Sequence, residues 1–412
     1  MNQYGQIVGK IIGALFGWVF LFPLSYLIPR NQQRFVVIGR DHGKFLDNSK
    51  YCFIGLQLLA KGKRQIIFLS DYNEVHIALQ AYGCQTGRLS GPLGWWQLLC
   101  CGTIITDNAD WCDFGRFAAA HGARVVQLWH GIPLKRIELL VAQQIASSLP
   151  SFAAALFRGY RHFIGRHREV DIAVATSTVV ADKALKPCIS AEHWSVTGYP
   201  RNDILLDEQL RHNPLVSLYV DEQAMAMIRD AKATNRKIVL YVPTFRNHMN
   251  DPFAEGAIDL QAFTEFADTH DFLFLIKLHP FLCASAQAHT LSPRLLILPA
   301  DSDIYPLMPE TDIMITDYSS IYFDFLLLDR PVLFYCYDLE KYMHEDRGFL
   351  FNYDEMTPGP KIRTLQELKE QLLEISQGVD QWSEQRKHVR EIVFDHVDSA
   401  AFSRLLVALG EE

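Results

Sequence analysis

Short apolar runs alternate with longer mixed segments over most of this chain, the spacing expected of parallel strands joined by helical crossovers. In the first part the strand-like runs are Arg34 to Ile38, Gln65 to Leu69, Gly102 to Thr106, Arg124 to Leu128 and Asp171 to Ala175. A second series comprises Lys237 to Val242, Phe272 to Leu278, Arg294 to Leu298, Asp312 to Thr316 and Pro331 to Tyr335. The polar stretch from Asp207 to Asn213 separates the two. This pattern predicts an α/β protein of two doubly wound, Rossmann-like domains facing a cleft. The expected boundaries are residues 31–205 and 206–412, with Leu365 to Leu409 forming two amphipathic helices that pack the second domain and cross back to the first.

The first 30 residues break this pattern. From Ile11 to Ile28 there is no charged residue, with Lys10 before the run and Arg30 after it. A cleaved signal peptide lacks its small-residue cleavage site here, and a membrane span is short and interrupted by Pro23. The reading favoured is an in-plane or shallowly inserted membrane-association segment over residues 1–30, with a helix docked on the protein as the soluble alternative.

Composition narrows the classes. The 412 residues are 49% hydrophobic and 21% charged, as in folded globular proteins. A net charge of -8 argues against a nucleic-acid binder, so any phosphate site must be local. The eight cysteines include Cys100 and Cys101 side by side but no C-x-x-C, which fits buried thiols rather than a zinc or redox motif. Asp301 and Asp303 read as a helix cap rather than a metal pair, and no metal or cofactor is expected. P-loop, dinucleotide and nucleophile-elbow motifs are all missing from the sequence.

In open α/β sheets ligands bind beyond the carboxyl ends of strands, so motifs that directly follow strands carry most weight. His130, in Leu128-Trp129-His130-Gly131-Ile132-Pro133, follows one strand; it is either a general base for an attacking hydroxyl or a structural cap of the turn. Arg201, in Gly198-Tyr199-Pro200-Arg201-Asn202-Asp203, either meets a phosphate or, the slightly favoured reading, pairs with Asp203. Arg246, in Val242-Pro243-Thr244-Phe245-Arg246, suits a diphosphate but is equally an exposed loop arginine. Lys277 and His279 end another strand, and Thr316-Asp317-Tyr318-Ser319-Ser320 precedes a helix expected over Ile321 to Leu328. That last segment is either a phosphate cradle or a simple serine cap.

In this order, WHGIPLKRI, GYPRND, YVPTFR, IKLHP and ITDYSSIYFDFLLLDRPVLFYCYDLEKY resemble the CDP-glycerol glycerophosphotransferase family of teichoic acid primases and polymerases. Gly43-Lys44-Phe45-Leu46-Asp47-Asn48-Ser49-Lys50 resembles that family's early D-N-x-K segment, so the likeness covers roughly residues 35–400 and leaves the apolar segment outside. The resemblance implies a glycosyltransferase B type fold, with an acceptor-side first domain and a nucleotide-donor second domain. It implies transfer of a glycerol-phosphate or related polyol-phosphate unit from a CDP-activated donor to a lipid-linked or polyol-phosphate acceptor at the cytoplasmic face of the cell membrane. His130 would be the base, and His279, Thr316, Ser319 and Ser320 would cradle the diphosphate near Arg246. Asp324, Asp338 and Tyr342 are further positions for ribose, cytidine or structural roles. The chain is shorter than the family's large polymerases, which fits a primase or a single pair of domains. The rival readings are a nucleotide-sugar glycosyltransferase on the same fold and a non-catalytic membrane-bound scaffold.

Overall fold

The computed structural model describes residues 3–59, 64–166, 168–244, 258–278, 292–340, 342 and 349–411. Thirteen strands among these form two all-parallel sheets. The first holds β1 (Asn31–Ile38), β2 (Gln65–Ser70), β3 (Gln85–Arg88), β4 (Cys101–Thr106), β5 (Arg124–Gln127), β6 (Val170–Ala175) and β7 (Ala191–Val196), in the order β3-β2-β1-β4-β5-β6-β7. The second holds β8 (Lys237–Val242), β9 (Phe272–Ile276), β10 (Leu295–Ile297), β11 (Ile313–Thr316), β12 (Val332–Tyr335) and β13 (Lys361–Ile362), in the order β10-β9-β8-β11-β12-β13.

Both sheets are doubly wound, so each has a point where the winding reverses: between β1 and β4 in the first and between β8 and β11 in the second. At such a point the flanking crossovers leave on opposite faces and open a crevice at the carboxyl ends of the strands. Strand β1 shows why these sheets hold. Val36 and Ile38 pack on one face with Ile104 and Leu98, and Phe35 and Val37 on the other with Phe53 and Phe68, all buried. Such a two-sided core accounts for the unbroken apolar runs.

The strands missing from the sequence reading are edge strands. β3, Gln-Thr-Gly-Arg, and β7 are half solvated and carry little apolar signal, and β13 is two residues long. The carboxyl-terminal stretch forms three helices rather than two: Leu365–Ser376, Ser383–Val393 and Ala401–Ala408. The last returns to the first half, where Asp203 accepts hydrogen bonds from the Ala401 and Phe402 amides and Arg124 donates to the Leu409 carbonyl.

The apolar segment is helical from Gln3 to Leu27, and Pro23 does not interrupt it. A π-turn over Gly17–Leu21 carries the chain into the helix Phe22–Leu27, where Pro23 occupies the first turn and its missing N–H leaves no bond unmade. Gly13 and Gly17 let the helix lie against the backbone of Phe114 and Gly115: a Cβ on either would come within 2.6 and 2.9 Å of those chains. Trp18 donates to the Phe163 carbonyl, and Lys10 pairs with Asp113. The opposite stripe, including Ile12, Leu15, Val19, Phe20 and Leu27, is exposed.

The seven described cysteines are buried and unbridged.

Candidate active site

The loop after β5 presents His130. Trp129 takes a left-handed φ of 59° and Gly131 a φ of 144°, and this sharp turn is held by the Asn48 side-chain amide donating to the Trp129 carbonyl at 2.8 Å. A side chain at position 131 would be crowded, since a Cβ there would lie 3.2 Å from Arg201 Nη2 and in contact, at 3.5 Å, with Ser320 Oγ. The His130 loop of the first half and the serine loop of the second therefore meet at Gly131.

His130 Nδ1 lies 2.9 Å from the Asp107 backbone carbonyl. A carbonyl only accepts, so Nδ1 carries the proton and Nε2 keeps its lone pair. Burial, then the positive charge of Arg40, holds the imidazole below its ordinary pKa of 6.5, which keeps it neutral and basic at pH 7.

Behind this histidine lies a charged network that the sequence reading did not assign. Arg201 does not pair with Asp203. Its Nη1 reaches Asp47 and the His130 carbonyl, the latter at 2.9 Å, and its Nη2 donates to Asp324 Oδ2 at 2.6 Å. Asp47 and Arg201 belong to the first half and Asp324 to the second, so the guanidinium bridges the two. Burial raises the Asp107 carboxyl to about 7, helped by repulsion from Asp47; Ser49 N–H donates to it. Lys50 is fully buried and donates to Asp303 of the second half at 2.7 Å and to the Val216 and Leu218 carbonyls. Asp303 is not the expected helix cap, since the next helical turn starts at Met308 after Leu307; it accepts the Tyr305 amide in a turn, and its other oxygen anchors this second bridge between the halves.

On the second half, Ser319 and Ser320 stand half-exposed at the carboxyl end of β11. Thr316 is buried in the sheet with its hydroxyl donated to the Val242 carbonyl, so it braces the loop. Asp317 accepts from the Thr244 and Tyr318 amides, which ties the loop after β8 to the loop after β11. The expected helix is an α-turn over Ile321–Phe325 followed by a 3-10 turn over Leu326–Leu328. Asp324 is buried against Arg201 and Tyr305, which take up its Oδ2 and give it the structural one of the roles expected for it. Asp338 accepts from Tyr318, whose ring stacks on Tyr342 at 3.7 Å; Lys135 of the first half lies over the Tyr342 ring. Lys277 donates to the Pro299, Ala300 and Ser302 carbonyls and so fastens that loop. His279 and Arg246 lie outside the described residues.

A positional signal for the missed residues existed. Arg40 and Asp107 stand one or two residues beyond β1 and β4, at the first sheet's reversal point. Nothing in the sequence marks Asp303 or Asp324 as the partners of Lys50 and Arg201, because those contacts span more than 100 residues.

Two doubly wound sheets whose loops meet at Gly131 define an α/β fold of the glycosyltransferase B type. Solved structures of the wall teichoic acid polymerase TagF share it; one superposes with a TM-score of 0.73 at 17% identity, covering 100% of this chain and 98% of that one. The chain belongs to the CDP-glycerol:poly(glycerophosphate) glycerophosphotransferase family, whose model matches residues 20–409. The match begins inside the apolar helix, so the end of that helix is not outside the family region. Among curated relatives, the teichoic acid glycerol-phosphate transferase of Staphylococcus aureus is 29% identical over 267 residues, 63% of this chain and 64% of that one. The teichoic acid poly(glycerol phosphate) polymerase of Bacillus subtilis is 26% identical over 259 residues, 61% of this chain and 32% of that one. The chain thus spans between about a third and two thirds of the length of these relatives.

Proposed function

We propose that this protein transfers a glycerol-phosphate or related polyol-phosphate unit from a CDP-activated donor to the hydroxyl of a polyol-phosphate acceptor, with release of CMP. The observation that carries this is His130: a neutral imidazole whose Nδ1 is held by a carbonyl, on a loop whose next residue, Gly131, lies beside the half-exposed Ser320. The acceptor hydroxyl attacks the phosphorus that bears the polyol, His130 Nε2 takes its proton, and the bridging P–O bond to CMP breaks. The leaving group is already a phosphate, so it needs charge stabilisation more than a proton. Ser319 and Ser320 suit that role with the amides of their loop, and the family resemblance adds His279 and Arg246. In this reading the first half serves the acceptor and the second the nucleotide.

The exposed stripe of the amino-terminal helix, together with exposed Phe152 and Leu156 on the helix Ser151–Phe163, supports attachment to a membrane surface and a lipid-linked acceptor. A helix of 23 residues from Gly5 to Leu27 is also long and apolar enough to cross a membrane. Its glycine-lined face against Phe114 and Gly115 favours an in-plane arrangement.

The test is nucleotide release from purified protein supplied with CDP-glycerol and a short polyol-phosphate acceptor. Acceptor-dependent CMP that vanishes in His130→Ala and His279→Ala supports the assignment. A nucleoside diphosphate released from a nucleotide sugar would keep the fold and move the chemistry to glycosyl transfer.

A further inference from the structure

The reversal point of the first sheet carries a cation that the mechanism above does not use. Arg40 follows β1 directly, after Gly39, where a Cβ would collide with the Lys44 carbonyl at 2.0 Å. The next two residues, Asp41 and His42, both take left-handed φ values of 49° and 65°. Such conformations in non-glycine residues are uncommon and concentrate where a loop must hold a group in place.

The carboxylates of Asp47, Asp107 and Asp41 face the side chain so placed, yet none of them takes a hydrogen bond from it. Arg40 Nη1 lies 3.4 Å from Asp47 Oδ2, an ion pair without a hydrogen bond, and Asp47 is already claimed by Arg201. Arg40 Nε is buried with no hydrogen-bond partner among the described residues. Yet 42% of the side chain remains open to solvent. A guanidinium has five donors in a planar fork that matches phosphate, and burying them unmatched is unfavourable. Arg201 shares the unpaired Nε but has both terminal nitrogens bonded to carboxylates and a carbonyl, and it is almost wholly buried, as is Lys50, whose ammonium is fastened to Asp303. Arg40 is also close to His130, since its charge is the strongest influence after burial in depressing the imidazole's pKa.

We propose that Arg40 is the binding residue for an acceptor phosphate, gripping the phosphodiester one polyol unit behind the hydroxyl that His130 activates. This rests on the reading of His130 as the base. The side of the cleft decides for the acceptor over the donor: Arg40 stands on the sheet that carries His130, whereas Ser319 and Ser320 stand on the other. An anionic polymer end needs one fixed charge to register its terminal hydroxyl, and the crevice at a sheet's reversal point is where such a ligand enters.

The test separates binding from turnover. A short poly(glycerol phosphate) oligomer and CDP are titrated calorimetrically into the full-length protein, its Arg40→Gln variant and its Arg40→Lys variant. In parallel, CMP release gives KM for oligomer and for CDP-glycerol. Arg40→Gln is expected to weaken oligomer binding and raise its KM about tenfold or more, as for the loss of a charge-assisted hydrogen bond. CDP affinity stays at the wild-type value, which also reports that the fold is intact. Arg40→Lys recovers part of the loss, because it keeps the charge without the fork. Oligomer binding unchanged in Arg40→Gln, or a loss confined to CDP, overturns the proposal. If the wild type releases no CMP yet binds the oligomer through Arg40, the site stands and the donor assignment falls.

Discussion

Arg201 Nη2 donates to Asp324 Oδ2 at 2.6 Å, joining the two halves of the molecule through a pair of side chains almost wholly removed from water. The same guanidinium holds Asp47 and the His130 carbonyl, so the relative placement of the halves and the position of the base loop rest on one group. Arg201→Met would leave Asp324 buried without its countercharge and Asp47 with only the longer Arg40 pair, a cost of about 3–5 kcal/mol. The expected outcome is a clearly lower Tm and loss of transfer. Arg201→Lys recovers only part of either, having one point charge where a fork is needed. A wild-type melting curve for Arg201→Met would remove the pair from the forces holding the halves together.

His130 gives a pH prediction with a definite sign. Its imidazole must be unprotonated to accept a proton, and burial with the nearby Arg40 charge lowers its pKa from 6.5. The acid limb of kcat/KM against pH therefore falls below pH 6.5. In Arg40→Gln one depressing charge is gone, so the limb moves upward, towards the ordinary value. His130→Gln is expected to reduce transfer by about 10²–10⁴-fold. An acid limb above 6.5 in the wild type would contradict the assigned base.

Asp107 makes a stability prediction that activity assays cannot imitate. Burial, aided by Asp47, raises its carboxyl from 3.8 to about 7. Because the folded pKa lies above the unfolded one, its contribution is full below pH 3.8 and is lost as pH rises through about 7. Asp107→Asn still offers an oxygen to the Ser49 amide but does not titrate. The variant should therefore gain on the wild type in Tm between pH 5 and 8, with a difference on the order of a few kcal/mol at the alkaline end. A difference independent of pH would show that Asp107 titrates alike in the folded and unfolded chain.

The sequence exposed the sheets because stretches buried on both faces must be largely apolar, as Phe35 to Ile38 of β1, Ile104 and Ile105 of β4 and Ile238 to Val242 of β8 are. It concealed β3 and β7, whose residues are those of a sheet margin. The placement of His130 was legible through the turn that Gly131 and Pro133 impose after a strand, and that of Ser319 and Ser320 through their position after β11. The interlock was not legible. Lys50 gives no sign of its partner and Arg201 reads as a phosphate ligand or the partner of Asp203 until folding places Asp303 and Asp324 on them, and Asp303, read as a helix cap, turns out to bridge the halves. Pro23 misled because a π-turn places it where a proline costs the helix nothing.

The amino-terminal helix carries two surfaces that substitution can separate. Val19 and Leu27 are 60% and 77% exposed, so Val19→Glu with Leu27→Glu changes no packed contact and should leave stability within about 0.5 kcal/mol. Two carboxylates in the stripe would oppose entry into the apolar boundary of a bilayer, and the variant should no longer float with anionic phospholipid vesicles in a density gradient. Gly17→Leu acts on the opposite surface, where a Cβ would stand 2.9 Å from Gly115 Cα, and it should lower Tm by prising the helix from its seat. If the double glutamate variant floats as the wild type does, the exposed stripe is not what meets the lipid, and attachment must run through Phe152 and Leu156 on the neighbouring helix.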